Sequence, residues 1–167
     1  MNWRSCRPSA EAELTDSRAD VRLLTDHFDP PIEVSAFTSA HPAAGGIVSF
    51  VGQVRADAGA EAVEALELRH YAPLTLPAMQ DLATRTLERF ALEGLLVVHR
   101  SGEMAPGDPI VLVTAAGRHR REAFAAAEFA MDHLKSESWF WKREKVGGEW
   151  RWIEPRPQDY QDLSRWS

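Results

Sequence analysis

The sequence predicts an α+β domain: a mostly antiparallel sheet with two main helices packed on it. Short apolar runs rich in β-branched residues, bounded by Gly and Pro, recur along the chain. Only two stretches carry a sustained helical period. Strands and helices do not alternate strictly and hairpin signals are plentiful, which argues against a doubly wound parallel sheet.

Residues 1–20 mix Arg, Asp and Glu with no apolar h-region and read as a mobile extension, leaving 21–167 as one domain. Val34 to Ser39 opens a short helix, closed by His41-Pro42. Gly45-Gly46 then breaks into GIVSFVGQV, read as a buried strand. ADAGAEA after Arg55 is a flexible loop. A strand follows over Val63–Tyr71, with Leu66, Leu68 and His70 on one face and Glu67 and Arg69 on the other.

Thr75 to Leu92 reads as a helix. Met79, Leu82, Leu87 and Phe90 recur at helical spacing, Pro77 sits in the first turn and Gly94 acts as the stop. Leu95–His99 and Ile110–Ala115 are buried strands, joined by a turn with Gly102, Pro106 and Gly107. A second helix spans about Arg120 to Lys135. FWKREKVGGEWRWIE is a hairpin turning at Gly147-Gly148.

Composition narrows the function. The formal charge of -6 gives no general reason to hold nucleic acid. No apolar run approaches the ~20 residues of a bilayer span. The one cysteine, Cys6, lies in the extension and makes no intramolecular disulfide, so a cytoplasmic protein is expected. The six His show no metal-ligand spacing, so no metal is expected. No phosphate-cradling Gly motif and no GxSxG elbow is present.

The second helix carries the chemistry. Phe124, Ala127, Met131 and Leu134 form its apolar stripe, with Arg120 within it and Lys135 at its edge. Such a lysine either snorkels from the helix C-terminus or faces a pocket, and spacing leaves both open. Lys142 in WFWKRE points away from Trp141 and Arg143 in a strand, as a solvated edge or a pocket group. Arg55 ends FVGQVR, and His119 and Arg120 open the helix where free N–H groups attract anions. These cations suit a phosphate or carboxylate. Arg120 and Lys135, however, lie fifteen residues apart, about 22 Å along one helix. Both cannot line one small pocket unless the ligand is long or two protomers share the site. His70-Tyr71 and His99-Arg100 read as core or turn residues.

In order along the chain stand GGIVSFVGQVR, LRHY, HRSGEMAPGD, GRHRREAF, EFAMDHLK and FWKRE. Together they resemble the large, catalytic subunits of molybdopterin synthase, the MoaE family, from about Val21 to the C-terminus. The resemblance implies an α/β-hammerhead-like fold. It implies a sulfurtransferase of molybdenum cofactor biosynthesis that converts cyclic pyranopterin monophosphate to molybdopterin. Two dithiolene sulfurs arrive on the C-terminal Gly-Gly thiocarboxylate of a small ubiquitin-like subunit, within a heterotetramer built on a homodimer of the large subunit. No cofactor is implied. The family's essential lysine matches Lys135 and its second matches Lys142. Its substrate contacts match Gln53, Val54, Arg55, His119, Arg120, Arg143 and Glu144, beside the two lysines. Gln53 stands where lysine is common, Trp139 replaces a smaller residue or proline, and His133 takes a position often held by tyrosine. A scaffold that only docks the small subunit's tail is the rival reading. It needs the tail groove but no phosphate clamp.

Overall fold

In the computed structural model, which describes residues 18–137 and 139–167, the strands divide into two sheets. The first contains β1 (Ala19–Leu24), β2 (Gly46–Gln53), β5 (Gly94–Arg100) and β7 (Pro109–Gly117), in the order β1-β5-β7-β2. The second contains β3 (Asp57–Ala58), β4 (Glu61–His70), β8 (Phe140–Val146) and β9 (Glu149–Ile153) in that order, with β6 (Gly102–Met104) paired to β4. Only β1 with β5 is parallel among these pairings. Sequence patterning does not separate the two sheets, because adjacent runs look alike whichever partner they find.

β5 and the centre of β7 are buried along their length, as their continuous apolar runs require. Against one face pack α2 (Ala72–Arg89) and α3 (Arg120–Ser136), enclosing Met79, Leu82, Leu87, Val97, Val113 and Ala130. Against the other lies α1 (Pro30–Ala40), where Phe37 meets Phe28, Leu96, Val98 and Leu112. A smaller cluster of Val54, Leu66, Leu68, Met104 and Val146 forms beneath the second sheet.

Several sequence expectations shift. Residues 1–17 of the expected extension lie outside the described residues, while Ala19 and Asp20, also assigned to it, open β1. The first helix is longer than Val34–Ser39. Asp29 caps it, its Oδ1 accepting from the Ile32 N–H at 3.2 Å, and two prolines fill the first turn. The strand from Gly46 is not buried: β2 is an edge strand, and Phe50 and Val51 remain 41% and 38% exposed. Its apolar run masks an open edge, since among the described residues β2 pairs only with β7.

In α2 the first-turn proline is Pro73, and Pro77 lies inside the helix. The helix closes at Phe90 and the chain turns at Ala91, which takes φ +47. Gly94 is no stop but the first residue of β5, kept small because a Cβ there would lie 2.0 Å from His41 Nε2. The stripe of α3 is also rotated. Ala127, Met131 and Leu134 of the expected stripe are buried, but Phe124 is 62% exposed, and the buried face also takes in Ala123, Ala126, Phe129 and Ala130. Alanines let α3 sit close on β7 and β2, and this close approach overrides the larger Phe124. The hairpin turns as read, with Gly147 at φ +58 and Gly148 at φ +79. A fourth helix, α4 (Pro157–Ser164), was not expected; it is tied to α3 by the Ser136 hydroxyl donating to the Asp159 carbonyl at 2.8 Å.

Candidate active site

The period of two in β8 sorts its residues. Phe140, Lys142, Glu144 and Val146 share one face with their β4 partners His70, Leu68 and Leu66. Lys142 Nζ lies 2.9 Å from Glu144 Oε1, and Glu144 is 6% exposed. The lysine is thus the counter-ion that makes burial of this carboxylate tolerable. Arg143 takes the opposite face. It pairs closely with Glu67 and lies over Trp150, 4.5 Å from the ring centre, and over Trp152 at 5.5 Å. Burial opposes ionisation of Glu67, but hydrogen bonds and charge from Arg143 and Arg69 outweigh it and hold the carboxyl below its ordinary value. Arg143 therefore braces the sheet surface, while Lys142 and Glu144 face the inside.

Lys135 is the penultimate residue of α3 and is exposed. It has no hydrogen bond or ion pair with any described residue, and the negative end of the helix dipole favours its charge. A short connection leads from there to β8, held where the Thr75 hydroxyl donates to the Trp139 carbonyl at 3.3 Å. Lys135 and Lys142 lie seven residues apart in the sequence.

Gln53, Val54 and Arg55 follow β2. Val54 is 3% exposed; its N–H donates to the Asp108 carbonyl at 3.0 Å and its carbonyl accepts from Gly107 N–H at 2.9 Å. Asp108 is in turn held by Arg100, Nη1 to Oδ2 3.3 Å. The bond from Gln53 Nε2 to the Gly107 carbonyl is long, 3.5 Å. Arg55 is exposed and unpaired among the described residues.

The register decides which of these groups gather. Gln53 stands opposite Pro109, where β7 begins, and Gly46 opposite Gly117, where it ends. The chain enters α3 three residues later, and the helix packs back along β7 and β2. Lys135 at its far end therefore returns towards the Pro109 end of the sheet. Phe140 is there too, stacked on His99, which is opposite Val111. Lys135, Lys142 and the Gln53–Arg55 run collect at this end. His119 and Arg120, both exposed, stand at the other, beside Gly46 and Gly117.

A cleft of about 630 Å³ lies elsewhere, lined by Arg85, Arg89, Phe129, His133, Glu137 and Trp166. It contains none of the sequence-derived site residues, and its Arg85 is already paired with Asp81 at 2.8 Å and Glu137 at 3.7 Å. Lys135, by contrast, carries a charge with no partner among the described residues, and Lys142 is paired with Glu144 at 2.9 Å. Among the described residues no group of three His, Cys, Asp or Glu is arranged to hold a metal.

His99, read from the sequence as a core or turn residue, is 6% exposed. Its Nδ1 faces the Arg100 carbonyl at 2.9 Å; a carbonyl only accepts, so Nδ1 carries the proton. Burial pushes its pKa down to about 4, over the opposing pull of that carbonyl and with the charge of His70 adding to the shift. The folded value lies below the unfolded 6.5, so the folded state binds fewer protons. Stability is then complete above pH 6.5 and falls as pH drops towards 4, by up to about 3 kcal/mol. Urea titrations of the wild type and His99→Phe across this range check it: the substitution flattens the slope, and an unchanged slope would assign the loss to other groups.

A family model, MoaE protein, matches residues 25–137. The molybdopterin synthase catalytic subunit of Caulobacter vibrioides is 44% identical over 146 residues, covering 87% of this chain and 96% of that protein. The subunit of the same name from Ralstonia nicotianae is 40% identical over 146 residues, covering 87% and 83%. Among solved structures, the molybdopterin biosynthesis MoaE protein of Burkholderia ambifaria superposes with TM-score 0.74 at 39% identity, covering 89% of this chain and 97% of that one.

Proposed function

The chain belongs to the MoaE family, and from that membership we propose how it works as a catalytic subunit of molybdopterin synthase, with Lys135 and Lys142 as its cationic centre. It converts cyclic pyranopterin monophosphate to molybdopterin, taking two sulfurs from the thiocarboxylated C-terminal tail of a small ubiquitin-like subunit. The observation that carries the assignment of Lys135 is its exposed, unpaired ammonium, one short connection from Lys142. An unpaired cation is free to meet an incoming anion, whereas Lys142 is partly engaged by Glu144.

The small subunit's tail threads towards Lys135. The ammonium orients the thiocarboxylate and stabilises the charge that develops as its sulfur displaces an oxygen substituent of the pterin side chain; water then cleaves the thioester so formed, leaving the sulfur on the pterin and returning the tail as a carboxylate. Lys142 lies on the inner face of the hairpin, where it contacts the substrate and Glu144 limits its swing. Gln53, Val54 and Arg55 line the same end, Arg55 offering a planar fork to the phosphate. Arg143 and Glu144 support the strand that carries Lys142. The chain works in the cytoplasm on this reading; no helix among the described residues is long and apolar enough to cross a membrane.

His119 and Arg120 complete the phosphate clamp from a second copy of the chain. Their place at the other end of α3, about 22 Å from Lys135, supports this reading, as do Phe50 and Val51, left exposed on the edge strand β2. Complementation tests it. Lys135→Ala and Arg120→Ala should each be inactive alone. Unfolded together and refolded as a random mixture, half of the dimers pair the two variants, and one of their two sites is intact, so about a quarter of wild-type activity returns. If the clamp belonged to the same chain, every mixed site would carry one lesion and no activity would return.

A further inference from the structure

Phe140, the first residue of β8, is held between imidazoles from both sheets. His99 of β5 stacks on it, ring centres 4.1 Å apart and planes at 12°. His70, its register partner on β4, meets it tilted at 6.2 Å. We infer that His99, Phe140 and His70 form a positioning device that sets Lys142 for catalysis, an inference that rests on the function proposed above.

The two sheets share no strand, so something must fix one against the other at the site. Phe140 belongs to the second sheet and His99 to the first, and their stack is a rivet across the gap. It sits two residues before Lys142, on the same face of β8. It is also where the chain arrives from Lys135. Displacing Phe140 would therefore move Lys142 relative to both Lys135 and Glu144.

The bonding of His99 keeps the rivet in one orientation. Its Nδ1–H donates to the Arg100 carbonyl, which fixes the ring plane. Arg100 also holds Asp108, whose carbonyl receives the Val54 N–H. One dipeptide, His99-Arg100, thus aligns the lysine strand and the Gln53–Arg55 run together. His70 Nδ1 is buried without a hydrogen-bond partner. An orphaned polar atom costs stability, and its retention fits a ring kept for its shape beside Phe140.

The test separates positioning from folding. In His99→Ala and Phe140→Leu, kcat per folded molecule should fall about tenfold or more at unchanged KM, as displacement of a reacting group by a fraction of an ångström does. His99→Phe, which restores a stacking ring, should return most of it. A second readout does not depend on turnover: acylation of Lys142 by an N-hydroxysuccinimide ester, mapped by mass spectrometry. Lys142 should react several-fold faster in the two defective variants than in the wild type, with Lys145 as the internal reference, because its pairing with Glu144 loosens. If His99→Ala does not fold, Phe140→Leu decides alone. Unchanged kcat and unchanged Lys142 acylation would overturn the device, as would a His99→Phe variant no better than His99→Ala. If the wild type itself makes no molybdopterin, the proposed function fails, and the acylation result still judges the device.

Discussion

Lys135→Ala should abolish molybdopterin formation, lowering kcat by about 10²–10³-fold or more, the effect of deleting one preorganised charge at a reacting centre. The side chain is exposed and touches no partner among the described residues, so its loss should leave stability within about 0.5 kcal/mol. The complex with the small subunit should also persist, because one ammonium is a small part of a protein interface. Lys135→Arg keeps the charge but replaces a compact ammonium with a broad fork, and should recover only part of the rate. Single-turnover kinetics with thiocarboxylated partner, alongside thermal melts, would check all three. Normal turnover by Lys135→Ala would remove the residue from the site.

Lys142→Ala should behave differently, losing activity and stability together. Glu144 is buried, and Lys142 is the one counter-ion it has within salt-bridge distance among the described residues. Breaking such a pair strands a charge. Because Lys142 is about a third exposed, we discount the cost to about 2 kcal/mol, or roughly 4–8 °C in Tm for a domain of this size. The double variant Lys142→Met/Glu144→Gln removes both charges at similar volume. It should regain most of the lost Tm and none of the lost activity. A Lys142→Ala melt equal to the wild type would show that the pair carries no weight. An active double variant would show that Lys142 is dispensable.

How far the sequence reaches can be followed residue by residue. The hairpin was legible because Gly147-Gly148 sits between two alternating runs and local turn chemistry decides it. β5 and β7 were legible because continuous β-branched runs have few other uses. The exposure of β2 was not, since GIVSFVGQ looks the same at an edge as at a centre until the neighbours are known. On α3 the period finds Ala127, Met131 and Leu134 but misplaces Phe124, because it weighs an aromatic above alanine while packing against a sheet rewards small side chains. α4 carries its signal in Asp159, whose carboxylate accepts from the Arg156 N–H at 3.0 Å, a cap easily lost among neighbouring charges.

The proposed site rests on residues the sequence singles out, and its arrangement was harder to read. Periodicity left Lys135 and Lys142 open, and the ordered motifs singled them out. Helix length alone already separated Arg120 from Lys135, and register then assigned Arg55 to the lysine end. Arg143 and Glu144, neighbours in sequence, face opposite ways, so only Glu144 shares the face of Lys142. The sequence reads His99 as a core or turn residue but gives no sign of its stacking partner, because a histidine in a buried run has no periodic mark. Its role depends on Phe140 of another sheet, forty-one residues later in the chain.

The most direct test is reconstitution. The purified chain is mixed with cyclic pyranopterin monophosphate and a thiocarboxylated small subunit, and the products are read by mass spectrometry. The account predicts a product that has gained two sulfurs, with two tails returned as carboxylates for each molecule formed, and none of it with Lys135→Ala. Wild-type protein that binds both components and leaves the precursor unchanged would contradict the account and leave a docking scaffold in its place.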